Sequence, residues 1–165
     1  EVRHRSAGAK DIMTGTVISR TDQKDADFLS LVKLLDAELA ERDGDDHEFY
    51  AQFNKTVGLA GVVVAYRGDE AVGCGAFRQF DEETAEIKRM YVRSESRGMR
   101  IGVGMLTELE AWAVESGFSR CVLETGFKQP EAIALYKRCG YCVIANYGQY
   151  AEAYNSVCME KKFAG

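Results

Sequence analysis

The chain switches between helical and strand periodicities, and the switches mark its elements. Phe28, Leu31, Val32, Leu35 and Leu39 recur at helical spacing behind the carboxylates of Asp22 to Asp27. This predicts an amphipathic helix from Phe28 to about Arg42. The acidic stretch Asp43-Gly44-Asp45-Asp46 ends it, and a weaker helical segment lies near Glu48 to Asn54. Before the helix, the β-branched run Thr14–Ser19 predicts a strand. After it come three more: the apolar run Gly61–Tyr66, its hairpin partner Ala71–Phe80, and the alternating Glu83–Arg93. These three predict an antiparallel meander. Met105, Leu106, Leu109, Trp112 and Ala113 then share one face of a helix over Gly102–Ser116, stopped at Gly117. Ser119–Thr125 reads as a buried strand, and Pro130 opens a helix as a first-turn residue. Ile133, Tyr136 and Cys139 define that helix's face and Gly140 its end, and Ser156–Lys162 is the last strand.

That order, without internal repeats, low-complexity tracts or a linker, predicts one α/β domain with a mixed antiparallel and parallel sheet and helices on both faces. The domain is placed at 13–165. Residues 1–12 are polar, carry no hydrophobic signal core and do not begin with Met, so they read as a flexible extension or an expression remnant, with Met13 a candidate start.

Composition narrows the classes. At 165 residues and 46% hydrophobic content the chain can bury one core without covalent staples. A net charge of −5 argues against a nucleic-acid partner, and no apolar run approaches the ~18–20 residues of a membrane span. Five cysteines, an odd number, suit reduced thiols in a reducing, cytoplasmic setting.

The candidate chemistry lies in Val92–Gly104, VRSESRGMRIGVG, where a strand ends, a Gly-rich loop follows and a helix begins. Free N–H groups and the helix dipole at such a junction receive phosphate oxygens. Gly98, Gly102 and Gly104 allow close approach, and Arg93, Arg97 and Arg100 reverse the local sign of an acidic chain. The spacing matches neither the dinucleotide fingerprint nor the Walker loop. A tight strand-to-helix turn with solvated arginines remains the plain alternative.

Two motifs extend the picture. Met90-Tyr91-Val92 closes the strand, and Arg97-Gly98-Met99-Arg100-Ile101-Gly102 has the form [QR]-x-x-G-x-[GA]. Further on, Gln129-Pro130-Glu131-Ala132-Ile133-Ala134-Leu135-Tyr136, closed by Gly140-Tyr141, follows N-x-x-A-x-x-L-Y. Together, over Glu86–Gly140, they resemble the GNAT superfamily of acyl-CoA-dependent N-acetyltransferases. Arg100 stands where the family has Gly, and Gln129 where it has Asn.

The resemblance implies transfer of an acetyl group from the cosubstrate acetyl-CoA to a primary amine by direct attack through a tetrahedral intermediate, without a metal. It implies cofactor contacts from Met90, Val92, Arg97, Gly98, Met99, Arg100, Gly102, Val103, Gly104, Gln129 and Tyr136. It implies catalytic roles for Tyr136 as general acid toward the leaving thiolate, for the Met90 amide, a strand N–H freed by a bulge, as oxyanion donor and for Glu86 as general base. Strand alternation would put Glu86 and Met90 on one face; a strand carboxylate paired with Lys88 or Arg89 is the other reading of Glu86.

A small-molecule amine is the expected acceptor partner, with a protein Lys or N-terminus, or a non-catalytic acyl-CoA-binding module, as alternatives; a homodimer stays open. Tyr147, Tyr150 and Tyr154 could wall the acceptor pocket or cover the sheet, and the carboxylates of Asp43–Glu48 could attract an amine or merely be solvated. Cys139 and Cys142 have C-x-x-C spacing, but the chain's two histidines, His4 and His47, and the lack of a second such pair argue for plain thiols over zinc.

Overall fold

A computed structural model describes residues 9–11, 15–52 and 55–164. In chain order the elements are β1 (Ala9–Asp11), β2 (Thr16–Thr21), α1 (Ala26–Asp43), α2 (His47–Ala51), β3 (Gly61–Arg67), β4 (Glu70–Gln79) and β5 (Thr84–Val92). They continue with α3 (Ile101–Glu115), β6 (Arg120–Gly126), α4 (Pro130–Arg138), β7 (Cys142–Ile144) and β8 (Ser156–Lys162). The strands form one 8-stranded sheet in the order β1-β2-β3-β4-β5-β6-β8-β7. Every described pairing is antiparallel except β5 with β6.

Local chemistry sets the helix ends. The Asp25 carboxylate caps α1 by accepting from the Phe28 N–H at 3.0 Å, and Arg42 sits against the negative end of the helix dipole. Phe28, Leu31, Val32 and Leu35 are the buried stripe of α1, as their spacing predicts. Pro130 occupies the first turn of α4, where its missing N–H costs nothing.

Each sheet face buries a separate cluster. On one side α1 packs Phe28, Leu31 and Val32 against Val62, Val64, Cys74 and Ala76. On the other, α3 lays Met105, Leu106 and Leu109 against Val63, Phe77, Ile87 and Leu123, and α4 adds Tyr136. Phe77 meets the Trp112 ring edge-on, with centroids 5.7 Å apart. Such a contact adds roughly 0.5–1.5 kcal/mol beyond its buried area.

The expected mixed α/β sheet with helices on both faces is the fold observed. Two details differ from the periodicity reading. Cys142–Ile144 forms a short edge strand on β8, which no alternation announces. Three residues of the segment set aside as an extension, Ala9–Asp11, pair with Thr16–Ile18 of β2. Residues 1–8 and Met13 lie outside the described residues.

Leu109 is fully buried at the centre of the α3 face. Leu109→Ala is expected to cost about 2–5 kcal/mol, read as a lowered urea midpoint with an unchanged m-value.

Candidate active site

The site begins where the sheet stops being continuous. β5 and β6 pair only at Thr84–Glu86 with Arg120–Val122, although both strands run on beyond. On its other side β5 carries a bulge: Lys88 faces Ala76 and Tyr91 faces Cys74, leaving Arg89 and Met90 opposite Gly75 alone. Arg89 takes a left-handed backbone with φ 60°, and its Nη2 donates to Asp36 on α1 at 2.5 Å. The bulge reverses the side-chain alternation. Lys88 follows Ala76 on the α1 face, whereas Met90 packs into the α3 core. Glu86 and Met90 therefore do not share a face, contrary to simple strand alternation. Gly75 makes room for this, since a Cβ there would lie 2.5 Å from Met90 Sδ.

Two cavities open in the gap. The larger, about 730 Å³, has β5 from Met90 to Val92 as its floor. One wall is the loop and first turn of α3, with Arg97, Gly98, Arg100, Gly102 and Val103; the other is α4, with Gln129, Ala132, Leu135 and Tyr136. Glu38 and Arg42 of α1 stand at its edge. The first backbone bond of α3 runs from the Gly104 N–H to the Arg100 carbonyl at 3.1 Å. The N–H groups of Ile101, Gly102 and Val103 thus precede the helical ladder and are available to an anion.

Gly98 has φ 82° and Arg100 φ 62°, both left-handed. Glycine adopts that conformation at little cost, which accounts for the family's Gly where this chain has Arg100. Gln129 lines both cavities as the residue before α4, and its side chain makes no cap bond.

Arg97 is already engaged. Its Nε donates to the Val92 carbonyl at 2.9 Å and its Nη2 to Glu38 at 2.7 Å. Glu38 also pairs with Arg42, which reaches across to Glu131 on α4. An incoming phosphate would have to compete with Glu38 for this guanidinium.

Not all expected contacts reach the cavity. Met99 does not line it; its sulfur receives Arg67 Nη1 at 2.9 Å, and the side chain packs on the core. Gly104 faces β2, where a Cβ would lie 2.9 Å from Ile18 Cδ1, so it is a packing glycine. Arg93 turns to the Ala71 carbonyl. Glu86 is buried away from both cavities, accepting from Arg78 Nε at 2.5 Å and the Tyr147 hydroxyl at 2.7 Å, with Lys88 Nζ at 3.8 Å.

The smaller cavity, about 120 Å³, lies on the other side of Met90 and Tyr136, which line both. Around it are Lys88 and Arg89 of β5, Glu124–Gly126 of β6, Asp43 of α1 and Tyr50 of α2. Burial pushes the Glu124 carboxyl up to about 7, against the opposing pull of Ser156 and Lys88. Desolvation holds Lys88 below the usual lysine range. Burial, followed by the Glu124 charge, keeps the Tyr136 hydroxyl protonated well above neutrality. Glu124 is not among the site residues expected from the sequence; its only signal there is a carboxylate that directly follows the apolar run Cys121-Val122-Leu123.

Of the carboxylates in Asp43–Glu48, Asp43 alone reaches this cavity. Tyr147 and Tyr150 stack edge-on, with centroids 5.9 Å apart, and line neither cavity, and Tyr154 is 89% exposed. Among the described residues no cluster of three or more His, Cys, Asp or Glu could hold a metal ion, and no helix is long and apolar enough to cross a membrane.

A helix start with free N–H groups thus borders a cavity between parted strands of a mixed sheet, an arrangement that can receive an anionic ligand. The family model described as "Acetyltransferase (GNAT) family" matches residues 28–141. This chain belongs to the GNAT acetyltransferase family. It is 40% identical over 101 residues to the IAA acetyltransferase of Azospirillum brasilense, covering 60% of this chain and 65% of that protein.

A solved chain from Klebsiella pneumoniae, assigned by name to the acyl-CoA N-acyltransferases, is 33% identical. It superposes with a TM-score of 0.75 over 90% of this chain and 98% of its own. A GNAT family acetyltransferase from Elizabethkingia anophelis, solved with acetyl-CoA bound, shares the fold at 17% identity. Its TM-score is 0.68 over 90% of this chain and 99% of its own.

If the α3 junction holds phosphate, two variants separate in sign. Arg97→Ala should raise the Kd for CoA about tenfold, or ~1.4 kcal/mol, whereas Glu38→Gln should lower it. Titration calorimetry reads both, and weakening in both would refute the cradle.

Proposed function

We propose that the chain transfers an acetyl group from acetyl-CoA to a primary amine, with a small-molecule amine as acceptor. The observation that carries this reading is that Met90 and Tyr136 line both cavities. A thioester entering from the larger and an amine entering from the smaller would meet between them. The residues of the larger cavity fit the cosubstrate: three leading N–H groups and Arg97 suit a pyrophosphate, and the exposed edge of β5 suits the pantetheine arm. The acetyl-CoA bound to the Elizabethkingia relative supports the same choice.

The chain's own groups divide the work. Met90 follows the bulge residue Arg89, and its N–H, outside the regular register, is the donor for charge developing on the carbonyl oxygen. Tyr136, protonated and buried on α4, delivers its proton to the departing thiolate. Direct attack suits the thiols present: burial pushes Cys74 and Cys121 up to about 12, and Cys139, on the larger cavity, is raised as well. Protonated thiols are poor nucleophiles. All five cysteines are free, in keeping with a reducing, cytoplasmic setting.

Thiol release from acetyl-CoA across a panel of amines tests the activity. Tyr136→Phe is expected to lower kcat about 10²-fold while leaving the Kd for acetyl-CoA unchanged. Unaltered turnover between pH 6 and 9 would remove Tyr136 from the mechanism.

A further inference from the structure

We infer that Cys74 and Asp36 are positioning residues: together they hold the Arg89–Met90 peptide so that its N–H faces the gap between β5 and β6. The inference rests on the acetyl-transfer reading above and names what aims the amide on which that reading depends. The Arg89 carbonyl and the Met90 N–H belong to one planar peptide group, and in a trans peptide they point in opposite directions. Whatever holds the carbonyl therefore also aims the N–H. The buried Cys74 Sγ–H of β4 donates to the Arg89 carbonyl at 3.4 Å. That carbonyl thus turns toward β4, and the Met90 N–H turns to the opposite side of β5, where the ladder with β6 has already ended at Glu86.

The sheet alone does not fix this peptide, because the regular register of β4 with β5 lapses between Cys74 and Ala76. The thiol keeps the proton it needs: desolvation pushes Cys74 up to about 12, against the opposing pull of Arg89. An S–H is a weak donor, so a second hold matters. Arg89 has a left-handed backbone, a conformation that a residue other than glycine keeps only where its surroundings over-determine it. The Arg89 side chain is 1% exposed, and its Nη2 donates to Asp36 Oδ1 on α1. Asp36 thus fixes the side chain of the bulge residue, and Cys74 fixes its carbonyl.

Neither Cys74 nor Asp36 lines either cavity. Their effect on a bound thioester runs through Arg89 and the peptide it shares with Met90. An N–H held in this way needs no reorganisation when charge develops on the carbonyl oxygen.

Isotope-edited infrared spectra of bound acetyl-CoA read the N–H directly, because a hydrogen bond lowers the stretching frequency of the thioester carbonyl. In the wild type the stretch should lie below that of free acetyl-CoA. Cys74→Ala and Asp36→Ala should each move it part of the way back and lower kcat about tenfold, less than the ~10²–10³-fold loss when an oxyanion donor is removed outright. The Kd for CoA, which lacks the thioester carbonyl, should stay unchanged, whereas general damage to the fold would raise it. Cys74→Ser, whose hydroxyl still donates, and Asp36→Asn, whose amide oxygen still accepts, should restore both the stretch and kcat. A stretch in C74A equal to that of the wild type would overturn the role of Cys74, and the same result in D36A would overturn that of Asp36. If no amine is turned over but the stretch still responds to both variants, the transfer reading fails and the positioning stands. Failure of acetyl-CoA to bind would overturn both.

Discussion

The parting of β5 from β6 is the constraint on which the rest of the molecule depends. Their parallel ladder holds for three residue pairs and then ends, while β4 and β8 keep the two strands fixed on their outer sides. A sheet interrupted at its centre leaves unpaired main-chain edges that a monomeric core would normally satisfy. The same strand carries the bulge at Arg89 and Met90 on its β4 side. The Arg89–Asp36 bond ties the bulge to α1, so the irregularity is braced by a helix rather than left loose.

Charge follows the same geometry. An acidic chain gathers positive groups around the larger cavity and answers them locally: Glu38 meets Arg97, and Glu131 meets Arg42. These pairs are exposed enough to contribute little to stability, which makes them replaceable by a ligand's phosphates. Around the smaller cavity the logic differs. Glu124 and Lys88 are both pulled toward their neutral forms by burial, the environment in which proton transfer near neutral pH is efficient. Two neighbouring cavities therefore differ in electrostatics, one bordered by exposed ion pairs and one by buried titratable groups.

Much of the fold was legible because long amphipathic elements advertise their period. The stripe on α1, the α3 core face and the meander all appear in the apolar spacing. β7 did not, because three half-exposed edge residues carry no period. Site positions read from motif were placed on the cavity where backbone dictates them, as at Gly98, Gly102, Gln129 and Tyr136. Met99 inside the motif and Gly104 just beyond it serve packing, since neighbouring positions on a loop or helix point in different directions. The resemblance implied a bulge at Met90, but simple alternation ignored the change of face it causes; nothing in KRMYV itself marks it, since the left-handed residue is an arginine held by Asp36, a partner 53 positions away. Glu124 was not chosen as a site residue for a related reason, as its environment is assembled from α1, α2, β5 and β8.

The central claim is that the gap between β5 and β6 brings the thioester between the Met90 amide and the Tyr136 hydroxyl. A crystal structure with a non-hydrolysable ketone analogue of acetyl-CoA tests it most directly. The account predicts the pantetheine arm along β5 and the carbonyl oxygen ~2.7–3.1 Å from the Met90 nitrogen. It also predicts the carbon that replaces sulfur beside the Tyr136 hydroxyl. An arm bound outside the gap, or a carbonyl oxygen turned away from Met90, would contradict it.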